Sequence, residues 1–392
     1  MLDTIDDMSA YPIYLDYNAT TPCDPRVVEV MLPFFTQHFG NAASKSHAHG
    51  WFAEEAVEYA REQIANLIGA DAQEIVFTSG ATEAINLAIR GVAEKNAHKG
   101  KHIITVATEH KAVLDVCEYL ADQGYEITVL PVDKQGMIDL DQLRSSIRKD
   151  TLLIAAMYAN NETGVIHPIS KISEIAKEHD VLFFCDATQA VGKKAVKVKY
   201  EGIDLMAFTA HKMYGPKGVG VLYVKKQTPK IEIAPLLYGG GHERKLRSGT
   251  LNVTGIVGMG KAAEICNTVL DQEAQTLYRL NNLLWEGIKS LEGVHWNGKR
   301  EQSLSNVSNI LFAVPGADRL LKLLTKTISV SSGSACSSAI ASPSHVLKAM
   351  GLTDEEAYSS IRFSIGRFTT EEEINKTIDA IKLSYSKLNS SI

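Results

Sequence analysis

Several polar residues stand just past short apolar runs, at places where a side chain can enter a pocket. Lys212 follows Asp204-Leu-Met-Ala-Phe-Thr-Ala-His211 and precedes the breaker pair Gly215-Pro216. The apolar part of that run has the pattern of a buried strand, and the breakers close it with a turn. A lysine amine, with an ordinary pKa of roughly 10.4, becomes nucleophilic only where burial or a neighbouring cation lowers that value. Asp186 ends the apolar run Val181-Leu-Phe-Phe-Cys185, with Gln189 three residues later. A carboxylate at the end of so apolar a strand is costly to bury without a charged partner, which singles Asp186 out among the acids.

Ser79-Gly80-Ala81-Thr82 follows a strand ending at Thr78 and opens a helix. Small residues at a helix N-terminus leave backbone N–H groups and a positive dipole end free for a phosphate. An ordinary N-cap by Ser79 or Thr82 is the competing reading. Thr108-Glu-His110 and Asn160-Asn-Glu-Thr-Gly164 follow two further strands. Lysine, acid and phosphate cup together are the equipment of pyridoxal 5′-phosphate chemistry. Lys212 would bond the cofactor, Asp186 would keep its ring nitrogen protonated, and the cup would hold its phosphate.

The elements that must position these residues alternate. Apolar runs at 74–78, 103–107, 127–132, 152–158, 181–185 and 205–209 read as strands, after a short strand and turn within 11–22. Helical spacing covers 51–67, 82–93, 110–123, 140–148 and 169–179. This rhythm predicts a mostly parallel sheet with helices on both faces, and such sheets gather ligands at the carboxyl ends of their strands. A long helix is expected over 253–290, followed by an α+β segment that could form a second domain. Gly255-Ile-Val-Gly-Met-Gly-Lys-Ala262 nearly spells a phosphate loop, but no strand precedes it and alanine stands where a hydroxyl belongs. Close helix packing is the better reading. In 329–344, eight of sixteen residues are serine, which predicts a mobile loop.

With 392 residues the chain can bury a large core, and its length suits about two domains. The formal charge of −6 excludes a nucleic-acid binder, and short basic pairs such as Lys193-Lys194 and Lys225-Lys226 read as solvated rims. Cys23, Cys117, Cys185, Cys266 and Cys336 are far apart with no CxxC spacing, which argues against a disulfide framework or a zinc site and favours a reducing compartment. The acidic N-terminus lacks a signal sequence, and no apolar run reaches ~20 residues, so a cytoplasmic protein with no membrane span is expected.

The chain resembles the cysteine desulfurases of the NifS/IscS type, within the class V aminotransferases, which are fold-type I pyridoxal phosphate enzymes. The resemblance runs from YLDYNATTP at 14–22 to SSIRFSIGRFT at 359–369. Between these lie FGNAAS at 39–44, TSGATEA at 78–84, TEHKAVLD at 108–115, NNETG at 160–164, DATQAVGK at 186–193, AHKMYGPKGVG at 210–220, GGGHERKLRSGT at 239–250 and SSGSACSS at 331–338. It implies a large domain, 22–262, with a mostly parallel seven-stranded sheet between helices. A smaller α+β domain, 1–21 and 263–392, would carry the Cys336 loop. It also implies roles: Lys212 bonds the cofactor, His110 stacks on its ring and handles protons, Asp186 partners the ring nitrogen and Gln189 the phenolic oxygen. Asn161 lies near cofactor and substrate. Ala81, Thr82, Thr209 and His211 form the phosphate cup, Thr250 reaches it from the neighbouring subunit of a homodimer, and Arg362 clamps the substrate carboxylate.

Cys336 matches the sulfur acceptor. The implied reaction converts L-cysteine to L-alanine, leaves a persulfide on Cys336 and hands its sulfur on. The acceptor would be an iron–sulfur scaffold protein or another carrier, including one for tRNA thiolation. No metal site of its own is implied, although a scaffold could share Cys336 as a transient cluster ligand. Two departures stand out: threonine rather than serine at 209, which keeps the hydroxyl, and a shorter tail after 368–373 than scaffold-docking members carry. Selenocysteine lyase and class V aminotransferase remain open, although an aminotransferase has no need of Cys336. A non-enzymatic partner protein would be expected to have lost Lys212, His110 or Cys336.

Overall fold

A computed structural model describes residues 11–332 and 342–389. Cys336 and most of the serine-rich run therefore lie outside the described residues. The strands are β1 (Ile13–Tyr14), β2 (Ile75–Thr78), β3 (His102–Val106), β4 (Glu126–Leu130), β5 (Thr151–Ala155), β6 (Leu182–Asp186), β7 (Leu205–Thr209), β8 (Gly220–Val224), β9 (Val294–Trp296), β10 (Val307–Phe312), β11 (Ile328–Ser329) and β12 (Ser360–Ser364). Seven of them form a sheet in the order β2-β8-β7-β6-β5-β3-β4, parallel except for β8, which runs against both neighbours. Neighbouring residues on these strands feed opposite cores, as the two-residue period of a strand requires. Ile104, Ile154, Phe183 and Met206 join one buried cluster, and Ile103, Leu153, Phe184 and Ala207 join the other. Burial on both faces, shared by all of these strands but the outer β4, explains why they read as apolar runs.

The principal helices are α1 (Ala48–Ile68), α2 (Ala81–Asn96), α3 (Lys111–Asp122), α4 (Ile169–Glu178), α5 (Val253–Ile288) and α6 (Glu371–Asn389). Helix α5 begins on the glycines of the loop-like pattern, and these are packing residues. A Cβ on Gly260 would sit 2.6 Å from the Ala60 Cβ, and one on Gly258 2.5 Å from the Met31 sulfur. The first half of α5 buries Met259 and Ala262 in the sheet's core. Its second half puts Leu280 and Leu284 into a third core with Leu15, Ile310, Phe312, Phe363 and Ile381. That core lies around the antiparallel sheet β12-β10-β9 and the pair β1-β11. The N-terminal residues join it: Ile13 and Tyr14 pair with Ile328 and Ser329, and Asp16 bridges to Ser364.

Strand β8 is not visible as a strand in the sequence pattern because its first residue, Gly220, reads as part of a glycine-rich turn. The structure gives that glycine a reason. A Cβ there would lie 2.6 Å from the Gly80 Cα, so only glycine lets β8 pass beside the turn that opens α2. Among the described residues no helix is long and apolar enough to cross a membrane.

Candidate active site

The carboxyl ends of the parallel strands come out along one edge of the sheet. Every one but the edge strand β4 is followed by one of the polar groups singled out in the sequence. They surround a cavity of about 500 Å³ whose lining includes Ala81, Thr82, His110, Asn161, Asp186, Gln189, Thr209, His211, Lys212 and Arg362. That volume is in the range of small-molecule and cofactor sites. Thr250 is exposed and does not line this cavity. Cys336 lies outside the described residues.

Lys212 ends a short 3₁₀ turn directly after β7. Its Nζ donates to the carbonyls of Asn18 at 2.5 Å and Ala19 at 2.7 Å, which fix the amine at the cavity floor. His110 is the N-cap of α3, and its Nδ1 accepts the Ala112 N–H at 3.1 Å. That bond leaves Nε2 as the protonated nitrogen of the neutral ring. The enclosing walls lower the His110 pKa; Asp186 pulls it up and the Lys212 ammonium pushes it down again. Asp186 is buried at the end of β6, where it accepts the Thr188 N–H at 2.9 Å. Beside it Glu109 is wholly enclosed, accepts the Met157 N–H, and has its pKa raised well above the carboxylate range by burial and then by Asp186.

Helix α2 is capped by Gly80, with no side-chain cap. The competing N-cap by Ser79 or Thr82 is not made; instead the Thr78 hydroxyl donates to the Gly80 carbonyl and Glu83 accepts the Ser79 N–H at 2.8 Å. The first-turn N–H groups therefore keep the free ends a phosphate requires. Glu83 also takes Arg247 at 2.8 Å, which ties the segment leading to Thr250 against this turn. The Thr209 hydroxyl donates to the Val219 carbonyl at 2.9 Å, so it meets an anion only by redirecting its single proton. His211 has its pKa pushed down to about 4, first by burial and then by the ammonium groups of Lys212, Lys217 and Lys193. It is neutral at physiological pH.

Arg362 lies on β12 and reaches across from the third core. Its Nη2 meets Asp16 at 2.6 Å and its Nη1 donates to the Asn161 carbonyl at 3.0 Å, while Nε is buried without a partner. The Thr188 hydroxyl, also on the cavity wall, is likewise buried without a partner. An enclosed lysine, an acid, a bare helix N-terminus and unsatisfied donors suit pyridoxal phosphate. Lys212 would bond its aldehyde carbon, the α2 N-terminus would take its phosphate and Asp186 its ring nitrogen.

Two residues of this site were not legible in the sequence as site residues. Asn18, in the turn after β1, is buried and bonds to partners 143 to 346 positions away, among them the Asn161 carbonyl and the Ser364 hydroxyl. No local pattern could announce it. Lys193 corrects the reading of Lys193-Lys194 as a solvated rim. Lys194 is exposed, but Lys193 turns inward and bonds Gln189 at 2.7 Å and Asn18 at 3.1 Å.

This sheet, with its lysine beyond β7 and its helix N-terminus beyond β2, defines a fold-type I enzyme dependent on pyridoxal 5′-phosphate. The chain belongs to the aminotransferase class V family, whose model it matches over residues 13–377. It is 52% identical over 379 residues, 96% of this chain and 93% of the relative, to cysteine desulfurase IscS of Salmonella typhi. A solved NifS-like protein superposes with a TM-score of 0.88 at 38% identity, covering 96% of this chain and 99% of the other. SspA, solved in complex with cysteine, does so with a TM-score of 0.82 at 36% identity, over 91% and 100%.

Proposed function

We propose that the protein is a cysteine desulfurase that converts L-cysteine to L-alanine and carries the sulfur away as a persulfide on Cys336. The observation that carries the reading is the convergence of Lys212, His110 and Asp186 on one cavity, in a chain whose serine-rich run holds Cys336. Bound there, pyridoxal phosphate supplies an electron sink that lets a proton leave the α-carbon of an amino acid. The protein's own residues do the rest. Arg362, a planar two-pronged donor, orients the substrate carboxylate from the β12 side, next to the Asn161 carbonyl that it already holds. Lys212 and the His110 Nε2 take and return protons above the cavity floor. Asp186 holds a proton at the far end of the ring, and Gln189 lies beside the Lys212 amine. The Cys336 thiolate forms the new S–S bond as the carbon–sulfur bond of the substrate breaks, which leaves the persulfide on the protein.

The reading extends to the assembly. Thr250 is exposed and outside its own cavity, which supports a homodimer in which each subunit's Thr250 completes the other's phosphate cup. The grouping of residues 13–16 with the third core supports a smaller unit of 1–21 and 263–392 beside a larger one of 22–262, with α5 continuous across the boundary. We assign an iron–sulfur scaffold as the acceptor in the cytoplasm, with tRNA thiolation as a second use. The direct test is purified protein loaded with pyridoxal phosphate. It should be yellow, and with L-cysteine and a reductant it should yield sulfide and alanine in equal amounts. Alanine without sulfide would overturn the assignment.

A further inference from the structure

Beneath the cavity floor lies a second lysine that the reaction as described does not use. Lys193 follows Gly192, whose φ of 82° turns the chain inward where a Cβ would lie 2.7 Å from that of Met213. The Lys193 Nζ donates to the Gln189 Oε1 at 2.7 Å and to the Asn18 Oδ1 at 3.1 Å. A lysine has donors and no acceptor, so the groups that face it must be the oxygens of the two carboxamides. Their nitrogens are thereby aimed away from it. The Gln189 Nε2 donates to the Asn18 carbonyl at 3.0 Å, the same oxygen that receives the Lys212 Nζ at 2.5 Å. The Asn18 Nδ2 donates to the Asn161 carbonyl at 3.0 Å, and that carbonyl also receives Arg362. Asn306 donates to the Asn18 Oδ1 from the other side at 3.0 Å and reinforces the same orientation.

We propose that Lys193 is a positioning residue for the reaction: by fixing which way the Gln189 and Asn18 carboxamides face, it sets the donors that share the Asn18 carbonyl with the Lys212 amine and the Asn161 carbonyl with Arg362. The proposal rests on the reading of Lys212 as the cofactor lysine. Without Lys193, Asn306 still holds the Asn18 carboxamide, but the Gln189 carboxamide could turn over and present an oxygen where its donor now stands. Burial, followed by the Lys212 ammonium and the Arg362 guanidinium, pushes the Lys193 pKa down to about 7, while Glu273 and Cys266 oppose the shift. Charged or neutral, the amine retains hydrogens for both acceptors.

The test is a spectroscopic double-mutant cycle on protein loaded with pyridoxal phosphate, in which the pH midpoint of the visible absorbance band is read for each variant. Lys193→Met removes the donors and is expected to raise the midpoint by about one unit. Lys193→Arg keeps them and should restore most of the wild-type value. In a Gln189→Leu background, Lys193→Met should add little, because the two residues act as one unit. Melting of the cofactor-free proteins reports whether each variant folds, and Lys193→Gln takes the place of Lys193→Met in the cycle if that variant does not. An unchanged midpoint in a folded Lys193→Met protein overturns the proposal, as do shifts from Lys193→Met and Gln189→Leu that simply add. A wild-type protein that shows no band when loaded would instead overturn the assignment of Lys212, and the proposal with it.

Discussion

At the scale of single residues, holding a cofactor and deciding which atom leaves fall to different side chains. Lys212, His110 and Asp186 line one cavity, whereas in the proposed reaction the leaving atom is decided by Cys336. Cys336→Ser should keep the visible band and lose sulfide release by at least on the order of a hundredfold, because a hydroxyl cannot accept the sulfur. Arg362→Lys should leave the band in place and raise KM for cysteine roughly tenfold or more, since a single ammonium replaces a planar fork. The pH profile belongs to the same scale. The His110 pKa is lowered, so the neutral ring persists into more acid solution than an ordinary histidine allows. The acid limb of kcat/KM that disappears in His110→Gln should therefore lie below about 6.5.

At the scale of elements, the turn between β2 and α2 depends on a neighbour far away in sequence. Gly220→Ala would drive a Cβ into the Gly80 backbone and tilt the N–H groups of the cup. The dissociation constant for pyridoxal phosphate should rise on the order of tenfold, and the cofactor-free protein should also melt at a lower temperature, because the overpacked strand is strained without the cofactor too. His167, after the β5 turn, is fully buried with neither ring nitrogen bonded, and burial pushes its pKa down to about 4. The unfolded chain then binds the extra proton first as pH falls, so stability is complete above about 6.5 and is lost toward pH 4. His167→Leu should flatten that part of the melting-temperature profile. Five of the six parallel strands were legible because each is buried on both faces and reads as an apolar run, and the half-exposed edge strand β4 keeps enough apolar residues to read as one too. β8 was hidden by its glycine start, and Lys193 by a second lysine beside it that does face solvent. Asn18 was beyond reach because its partners, from Asn161 to Ser364, are brought together only by the folded sheet.

For the whole molecule, the proposed completion of one subunit's site by another bears most on catalysis. Arg247 and Glu83 pin the segment that leads to Thr250, yet Thr250 itself is exposed and does not line its own cavity. Mixing inactive Lys212→Ala subunits with Thr250→Val subunits should therefore create hybrid dimers with one intact site. Activity should recover toward half of the wild-type value per hybrid; no recovery on subunit exchange would confine each site to one chain. The central claim is that sulfur leaves cysteine through this protein's own thiol. Mass spectrometry of the loaded protein after brief exposure to L-cysteine without reductant tests it most directly. The account predicts one added sulfur atom on the peptide that contains Cys336 and an equal amount of alanine. Alanine formed with that peptide unmodified would contradict it.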